Sequence, residues 1–290
     1  MIKADKNMPI AQVWRVLDPR KPAKIDEVTV NGSLSTLDEI SSQLPNGVYT
    51  TFRTFEHNKL LPLELHFRRL EESAALLNKP ILLNRTLLRD ALREIVKLSQ
   101  EQELRIRITL TLDNQPGTIY ISTEPLITPK VKDYEKGVNT VTRRAERKNP
   151  KAKQTSFLRD AEIMRNEVLE NINEIILINS KGQILEGLSS NFFAIKNGEI
   201  WTEDKQVLPG IVRSIVLEEA TTAGFRIHLD PVYISEIERL EEAFLTSASR
   251  SLLPIQKIDG QSVGTVRPGH ITKKLIVLYQ QHIQKILEEL

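Results

Sequence analysis

Residues 184–214 read ILEGLSSNFFAIKNGEIWTEDKQVLPGIVRS. The stretch opens on a strand-like run ending in a lone carboxylate, Glu186, followed by Gly-Leu-Ser-Ser-Asn. NFFAIKNGEIWT, residues 191–202, is patterned as a hairpin, with Asn197-Gly198 as a strong two-residue turn signal. Leu-Pro-Gly-Ile, residues 208–211, then opens what reads as a helix, GIVRSIVLEEATTAG, closed by Gly224. A helix start presents free backbone N–H groups and the positive end of its dipole, which suits an anion. An acid at a strand end and an anion-ready helix start thus share one short stretch. Together they suit a ligand with a cationic group at one place and an anionic group at another.

The surrounding chain narrows the ligand class. It has 290 residues, enough for one large or two modest domains with their own cores. Lys plus Arg is 40 and Asp plus Glu is 38, a net charge of +2, so no strong field for polyanions is expected and the balance argues against nucleic acid as the main partner. With no cysteine, disulfides, thiolate-bound zinc and thiol catalysis are excluded. Five histidines, none at the HExxH spacing, give no reason to expect a metal. The opening MIKADKNMPIAQVWRVLDP lacks the apolar core of a signal peptide. No apolar run approaches the roughly 20 residues of a membrane span. The expectation is a cytoplasmic protein without a membrane partner.

Working outward, EVTVNGSL (27–34) reads as a strand and GVYTTFRTFEHNKLLPLE (47–64) as a hairpin turning near His57-Asn58. A helix should start at Pro62, with Leu63, Leu70, Ala74 and Leu77 on one face, and TLLRDALREIVKLS (86–99) should form a second. LRIRITLTL (104–112) alternates, placing Arg105, Arg107, Thr109 and Thr111 on one face and Leu104, Ile106, Ile108 and Leu110 on the other. TIYIST (118–123) should pair with it. The proline-containing residues 126–133 read as a linker between an α+β domain, 1–125, and a second domain, 134–290. In the second, VNTVTRRAE is strand-like, TSFLRDAEIMRNEVLEN helical, and EIILINSKGQILEG a hairpin. EEAFLTSASRSLLPIQKIDG reads as strand, loop, strand, and residues 271–290 as a closing helix.

Five pieces, HFRRLEESA, the Lys153 segment, EGLSSNFF, LPGI and FLTSASRSLLPI, stand in an order and spacing that resembles the fold-type IV pyridoxal-phosphate enzymes. That group contains branched-chain and D-amino-acid aminotransferases and 4-amino-4-deoxychorismate lyases. The resemblance runs from about Gly47 to the C-terminus. It implies a two-domain α+β and α/β fold with a barrel-like C-terminal domain, pyridoxal 5′-phosphate held between the domains, and a homodimer. The implied activity is transfer of an amino group between an amino acid and a 2-keto acid; the alternative is pyruvate elimination by the lyase.

The resemblance also implies roles. Lys151 and Lys153 compete for the Schiff-base position in NPKAKQTSFL. The family pattern, a lysine, three residues and an apolar pair, fits Lys153 with Phe157-Leu158. Glu186 matches the partner of the pyridine nitrogen, favouring its protonated form. Gly210 and Ile211 match the phosphate-binding helix start; Val212 stands where the family often has Thr, so a hydroxyl contact is lost. Ser189 beside Glu186, and Ser247, Ala248 and Ser249 in TSAS, are further cofactor-binding candidates. Arg69, three after His66, matches the phosphate arginine, while His66 has a packing role as its alternative. GVYTTFR lies in the variable substrate segment and resembles the lyase version more than the branched-chain one. Tyr49, Arg53, Arg105 and Arg107 are the substrate-binding candidates, and Arg250 could reach the site or a dimer partner.

Overall fold

The structure, a computed structural model, describes residues 11–17, 24–28, 36–99, 103–114, 116–168 and 171–290. The chain divides into two compact units. One comprises the described residues of Met1–Ile127 with Ala152–Glu162 and Leu287–Leu290; the other comprises Thr128–Lys151 and the described residues of Ile163–Ile286.

The first unit contains strands β1 (Gln12–Leu17) and β2 (Lys24–Glu27), helix α1 (Leu37–Gln43), strands β3 (Gly47–Arg53) and β4 (Lys59–Leu60), helices α2 (Leu63–Leu76) and α3 (Arg85–Leu98), and strands β5 (Leu104–Thr111) and β6 (Ile119–Pro125). Five strands form an antiparallel sheet in the order β2-β1-β6-β5-β3. The alternation in β5 works as expected: Leu104, Ile106, Ile108 and Leu110, with Val48 and Phe52 of β3, join Phe67 and Leu70 of α2 and Leu88 and Leu92 of α3 in one core. Truncating a fully buried residue such as Leu70 to Ala would cost about 2–5 kcal/mol. The opposite, polar face is also covered. The N–H of Leu37 donates to Glu124 Oε2 at 2.7 Å, while Arg107 Nη1 donates to the Leu37 carbonyl at 2.9 Å and Ser41 Oγ at 2.7 Å. Thus α1, which local pattern did not reveal, is fastened to charged groups of the sheet.

One expectation lies mostly outside the described residues and another changes. The described strand is Lys24–Glu27, and residues 29–34 of the expected strand lie outside the described residues. The expected hairpin over residues 47–64 shrinks to a turn with a Phe55–Lys59 bridge and positive φ at Glu56 and His57. Strand β3 pairs instead with β5, and β4 pairs with a strand from the far end of the chain.

The second unit begins with α4 (Val131–Lys136), so the proline-containing stretch already carries the first helical turn, and continues with β7 (Val138–Arg144). Helix α5 (Ser156–Asn166) starts in the first unit. Next come β8 (Glu174–Ile178), β9 (Ile184–Gly187), β10 (Asn191–Lys196), β11 (Glu199–Trp201), α6 (Ile211–Thr222), β12 (Ile227–His228), β13 (Glu242–Ser247), β14 (Ser251–Ile258), β15 (Gln261–Ser262) and α7 (His270–Ile286). The Asn197-Gly198 turn has positive φ at both residues, as a tight hairpin requires. Six strands close in a ring, β10-β13-β14-β7-β8-β9, because β9 also pairs with β10. The closing pair is Glu186 with Asn191. Ile176, Ile178, Phe192, Leu245, Leu253 and Ile255 fill one face of these strands. Phe193 and Phe244 stack on the other, with ring centroids 4.9 Å apart. Strands apolar on both faces are expected where both faces are covered. The terminal helix ends at Ile286, and β16 (Glu288–Glu289) pairs with β4 in the first unit.

Candidate active site

Residues 153–155 lie along the free edge of β3. The N–H of Tyr49 donates to the Lys153 carbonyl at 2.9 Å, Val48 bridges Gln154, and the N–H of Thr155 donates to the Gly47 carbonyl at 3.0 Å. Thr155 Oγ1 accepts from the Gly47 N–H at 2.9 Å. Glycine is required at 47, because a Cβ there would stand 2.0 Å from the Leu110 carbonyl oxygen. The N–H of Lys153 donates to Ser73 Oγ of α2 at 3.2 Å. With its backbone pinned, the lysine places Nζ 4.7 Å from the centroid of the Tyr49 ring. Lys151 is differently placed: it belongs to the second unit and bonds to Asp204.

Helix α2 passes below this edge with His66 and Arg69 one turn apart, both buried. His66 Nδ1 lies 2.9 Å from Thr50 Oγ1, its ring packs on Phe52 at 4.6 Å, and its Nε2 is buried without a hydrogen-bond partner. Burial, then the positive charges of Arg69 and Lys153, push its pKa down to about 3, so the imidazole is neutral. Burial also lowers the Arg69 pKa, with Glu72 opposing. A desolvated guanidinium of this kind favours an anion beside it.

Glu186 lies in the barrel's closing seam and is 2% exposed. Its Oε2 accepts from Asn191 Nδ2 at 3.2 Å and the Leu208 N–H at 3.1 Å, and Arg147 Nε approaches Oε1 to 3.1 Å. Asn191 Nδ2 also donates to the Leu208 carbonyl at 2.8 Å. The seam therefore ties the acid to the turn that starts α6. Gly210 caps that helix, and a Cβ on it would lie 2.2 Å from Asn191 Oδ1, so glycine is what lets the asparagine in. Ile211 and Val212 form the first turn, and Val212 is buried. Arg213 follows, 3.1 Å from Asp204 and 3.0 Å from the Glu203 carbonyl; burial lowers its pKa against the pull of Asp204, Glu186 and Glu203.

The second loop expected at the phosphate leaves β13. Thr246 Oγ1 is buried there without a hydrogen-bond partner. Ser247 Oγ accepts from Arg250 Nε at 3.2 Å, and Ser189 Oγ donates to Glu174 Oε2 at 2.8 Å. Arg250 turns back onto Glu174, with Nη2 to Oε2 at 2.6 Å. No distinguishing side-chain contact marks Ala248 or Ser249. Three residues of this region, Arg147, Asn191 and Thr246, escaped the sequence reading. Asn191 and Thr246 stood in the quoted motifs, EGLSSNFF and TSAS; Arg147 was hidden in a basic run, Arg143-Arg144 to Lys148.

The arginines proposed for the substrate share the polar face of the first unit's sheet, and each meets a carboxylate. Arg53 pairs with Glu103, Arg105 with Glu124 at 2.5 Å, and Arg107 with Asp38 at 2.7 Å. Arg107 also donates through Nε to Thr51 Oγ1 at 3.2 Å, and its guanidinium carbon stands 4.8 Å from the Tyr49 ring centroid. Among the described residues no group of three or more His, Cys, Asp or Glu could hold a metal, and no helix is long and apolar enough to cross a membrane.

Residues 47–258 match the amino-transferase class IV family. A probable branched-chain-amino-acid aminotransferase of Thermotoga maritima is 27% identical over 274 residues, covering 91% of this chain and 94% of that protein. A D-alanine aminotransferase of Bacillus licheniformis is 26% identical over 260 residues, covering 85% and 91%. The crystal structure of a "putative branched-chain amino acid aminotransferase" from Thermotoga maritima superposes with a TM-score of 0.76 at 27% identity over 94% of this chain and 96% of that one. The T.th. branched-chain amino acid aminotransferase crystallised with pyridoxamine 5′-phosphate shares the fold, at TM-score 0.77 and 18% identity over 97% and 99%. The chain belongs to the class IV aminotransferases, with their fold-type IV architecture. It is a transaminase that uses pyridoxal 5′-phosphate. The relatives named above are aminotransferases, which does not favour the lyase alternative.

Proposed function

We propose that Lys153 and Glu186 carry the transfer of an amino group from an amino acid to a 2-keto acid. Glu186 is the observation that carries this reading: a buried carboxylate with two hydrogen-bond donors at Oε2 and the Arg147 guanidinium 3.1 Å from Oε1, fixed by the closure of a barrel. The bound cofactor supplies an electron sink for the carbon bearing the amine. Lys153 Nζ would bond the cofactor's aldehyde carbon and, once displaced, take the proton from the donor's α-carbon and deliver it to that same cofactor carbon. Glu186 would hold the ring nitrogen protonated; Arg147, Asn191 and the Leu208 N–H keep the acid in place and offset its burial. Arg69, the first-turn N–H groups at Gly210, Ile211 and Val212, and the turn of Thr246, Ser247, Ala248 and Ser249 would receive the phosphate. The unmatched, buried hydroxyl of Thr246 fits such an anion. Ser189 would contribute by holding the loop after Glu186. Tyr49 and Arg107 are the substrate-side residues best supported, because Lys153 and Arg107 both approach the Tyr49 ring. Arg53 and Arg105 would set the charge of the same face.

A homodimer in the cytoplasm, with branched-chain or D-amino acids as donors, completes the proposal; the relatives' names supply the two donor classes. The test is a panel of L- and D-amino acids added without an acceptor. One donor class should convert the cofactor's absorbance stoichiometrically to that of the pyridoxamine form, and a 2-keto acid should restore it. No conversion by any amino acid, with continuous pyruvate release from aminodeoxychorismate, would defeat the proposal. Borohydride treatment should fix the cofactor on the peptide containing Lys153; recovery on Lys151 would reassign the lysine.

A further inference from the structure

A second strand-end carboxylate in the same unit has no role in that reading. Glu174 begins β8 and is 4% exposed. Its Oε2 accepts from Arg250 Nη2 at 2.6 Å, Ser189 Oγ at 2.8 Å and Ser190 Oγ at 3.0 Å, and its Oε1 accepts from the Ile175 N–H at 3.1 Å. Arg250 is held from several sides. Its Nη1 donates to Asn173 Oδ1 at 3.1 Å, its Nη2 also reaches Ser189 Oγ at 3.0 Å, its Nε reaches Ser247 Oγ at 3.2 Å, and its carbonyl accepts from the Tyr134 hydroxyl at 3.0 Å. One ion pair therefore joins the loop leaving Glu186, residues 187–190, to the turn leaving Thr246, residues 247–250. Gly187 shows how closely the first loop lies: a Cβ there would stand 2.3 Å from Ser190 Oγ and 2.9 Å from Glu174 Cγ. Ser251, at φ +54, closes the turn in the left-handed region that a non-glycine residue rarely adopts. Burial would raise the Glu174 pKa, but the charge and hydrogen bonds of Arg250, then Ser189, outweigh it and hold the carboxyl below its ordinary value.

We propose that the ion pair of Glu174 with Arg250 is a positioning clasp, which holds the phosphate-binding turn at residues 246–249 at a fixed distance from Glu186. The inference rests on the reading of that turn as a phosphate site. A buried pair surrounded by further hydrogen bonds adds little net stability, but it does restrict the geometry of what it joins. Here it joins a group for the ring nitrogen to groups for the phosphate, so it matches the protein to a ligand of one length. Glu174 and Arg250 act through Ser189, Ser190 and Ser247 and are not catalytic residues.

The test compares dissociation constants of the apo-protein for pyridoxal 5′-phosphate and for pyridoxal, which lacks the phosphate, by tryptophan-fluorescence quenching. Arg250→Gln and Glu174→Gln should each weaken pyridoxal 5′-phosphate about tenfold or more while leaving pyridoxal within about twofold. The double variant should be little worse than either single one, because both remove the same link. Arg250→Lys keeps the charge but not the fork, and should lose phosphate preference with an unchanged melting temperature. Equal losses for both ligands, or no loss for either, would make the pair merely structural and overturn the proposal. Thr246→Ala separates the two ideas. If it leaves the phosphate preference intact while borohydride still labels Lys153, the turn is not a phosphate site and the clasp falls with it. If it lowers the preference and Arg250→Gln does not, the clasp alone fails.

Discussion

The two units pair charges in opposite senses. In the first, arginines stand on strands and meet carboxylates of other elements: Glu103 just before β5 with Arg53, Glu124 of the neighbouring strand β6 with Arg105, and Asp38 of α1 with Arg107. In the second, carboxylates stand at strand ends and arginines come from loops: Arg147 to Glu186 and Arg250 to Glu174. A strand-borne group is fixed by the ladder, whereas a loop-borne partner such as Arg147 or Arg250 can shift. Where only one member of a pair stands on a strand, its sign is the one best placed for precise recognition. A fixed anion suits a ring nitrogen, and a fixed cation suits a carboxylate or phosphate. Removing Glu186 should therefore harm chemistry more than removing its loop-borne partner Arg147, and Lys153, pinned along β3, is fixed in the same way.

That view is tested most severely at Lys153. Lys153→Ala should lower turnover by about a hundred- to ten-thousandfold, the range for a proton-transferring group, and Lys151→Ala should not. Transaminase assays with borohydride labelling distinguish the two; a matching loss in Lys151→Ala would break the comparison. Glu186→Gln comes next. Glutamine keeps the shape but not the charge, and loss of one charge-assisted hydrogen bond predicts a fall in kcat of about ten- to hundredfold. The variant should retain the fold by circular dichroism, and full activity would remove Glu186 from the mechanism.

A smaller effect is expected at Arg69. Arg69 is buried on α2 and Arg68 is exposed, so only one of these neighbours has a desolvated guanidinium. Arg69→Ala should raise the cofactor's dissociation constant about tenfold, and Arg68→Ala should leave it unchanged. Equal affinities in an equilibrium titration would mean that the backbone donors of the second unit hold the phosphate alone.

Local periodicity made most elements legible. The alternation of β5, the Asn197-Gly198 turn and the Pro62 start of α2 each follow from neighbours in sequence, and the structure places them within a residue or two. What could not be read is what depends on distant chain. Strand β4 finds β16 more than two hundred positions away, and residues 152–162 return to the first unit by lying along β3. Neither pairing leaves a spacing signal. The candidate site divides in the same way. Glu186 and Lys153 sit in short motifs, whereas the arginine beside Glu186 comes from the loop after β7 and the aspartate beside Arg107 from α1. An arginine in a strand reads as a candidate ligand clamp; only the fold shows the aspartate already beside it.

The expected effect furthest from turnover concerns His66, acts on stability alone, and separates a buried neutral imidazole from a charged one. The ring is neutral in the folded state down to a pKa of about 3, whereas in the unfolded chain it titrates near 6.5. As pH falls below 6.5 the unfolded state binds a proton that the folded state refuses, so acid favours unfolding. The stability that the neutral imidazole secures is present above 6.5 and is lost progressively toward 3. The slope approaches about 1.4 kcal/mol per pH unit, so roughly 2 kcal/mol is lost between pH 6.5 and 5. His66→Gln keeps a polar group near Thr50 but cannot titrate, and should lack this component. Carboxylates titrate alike in both proteins and cancel in the difference. The gap in unfolding free energy between wild type and variant, from urea titrations of the apo-protein, should therefore move in favour of the variant by about that amount between pH 6.5 and 5. A gap independent of pH would mean that His66 takes up its proton in the folded protein as readily as in the unfolded chain, and that the surroundings of Arg69 and Lys153 are wetter than their burial indicates.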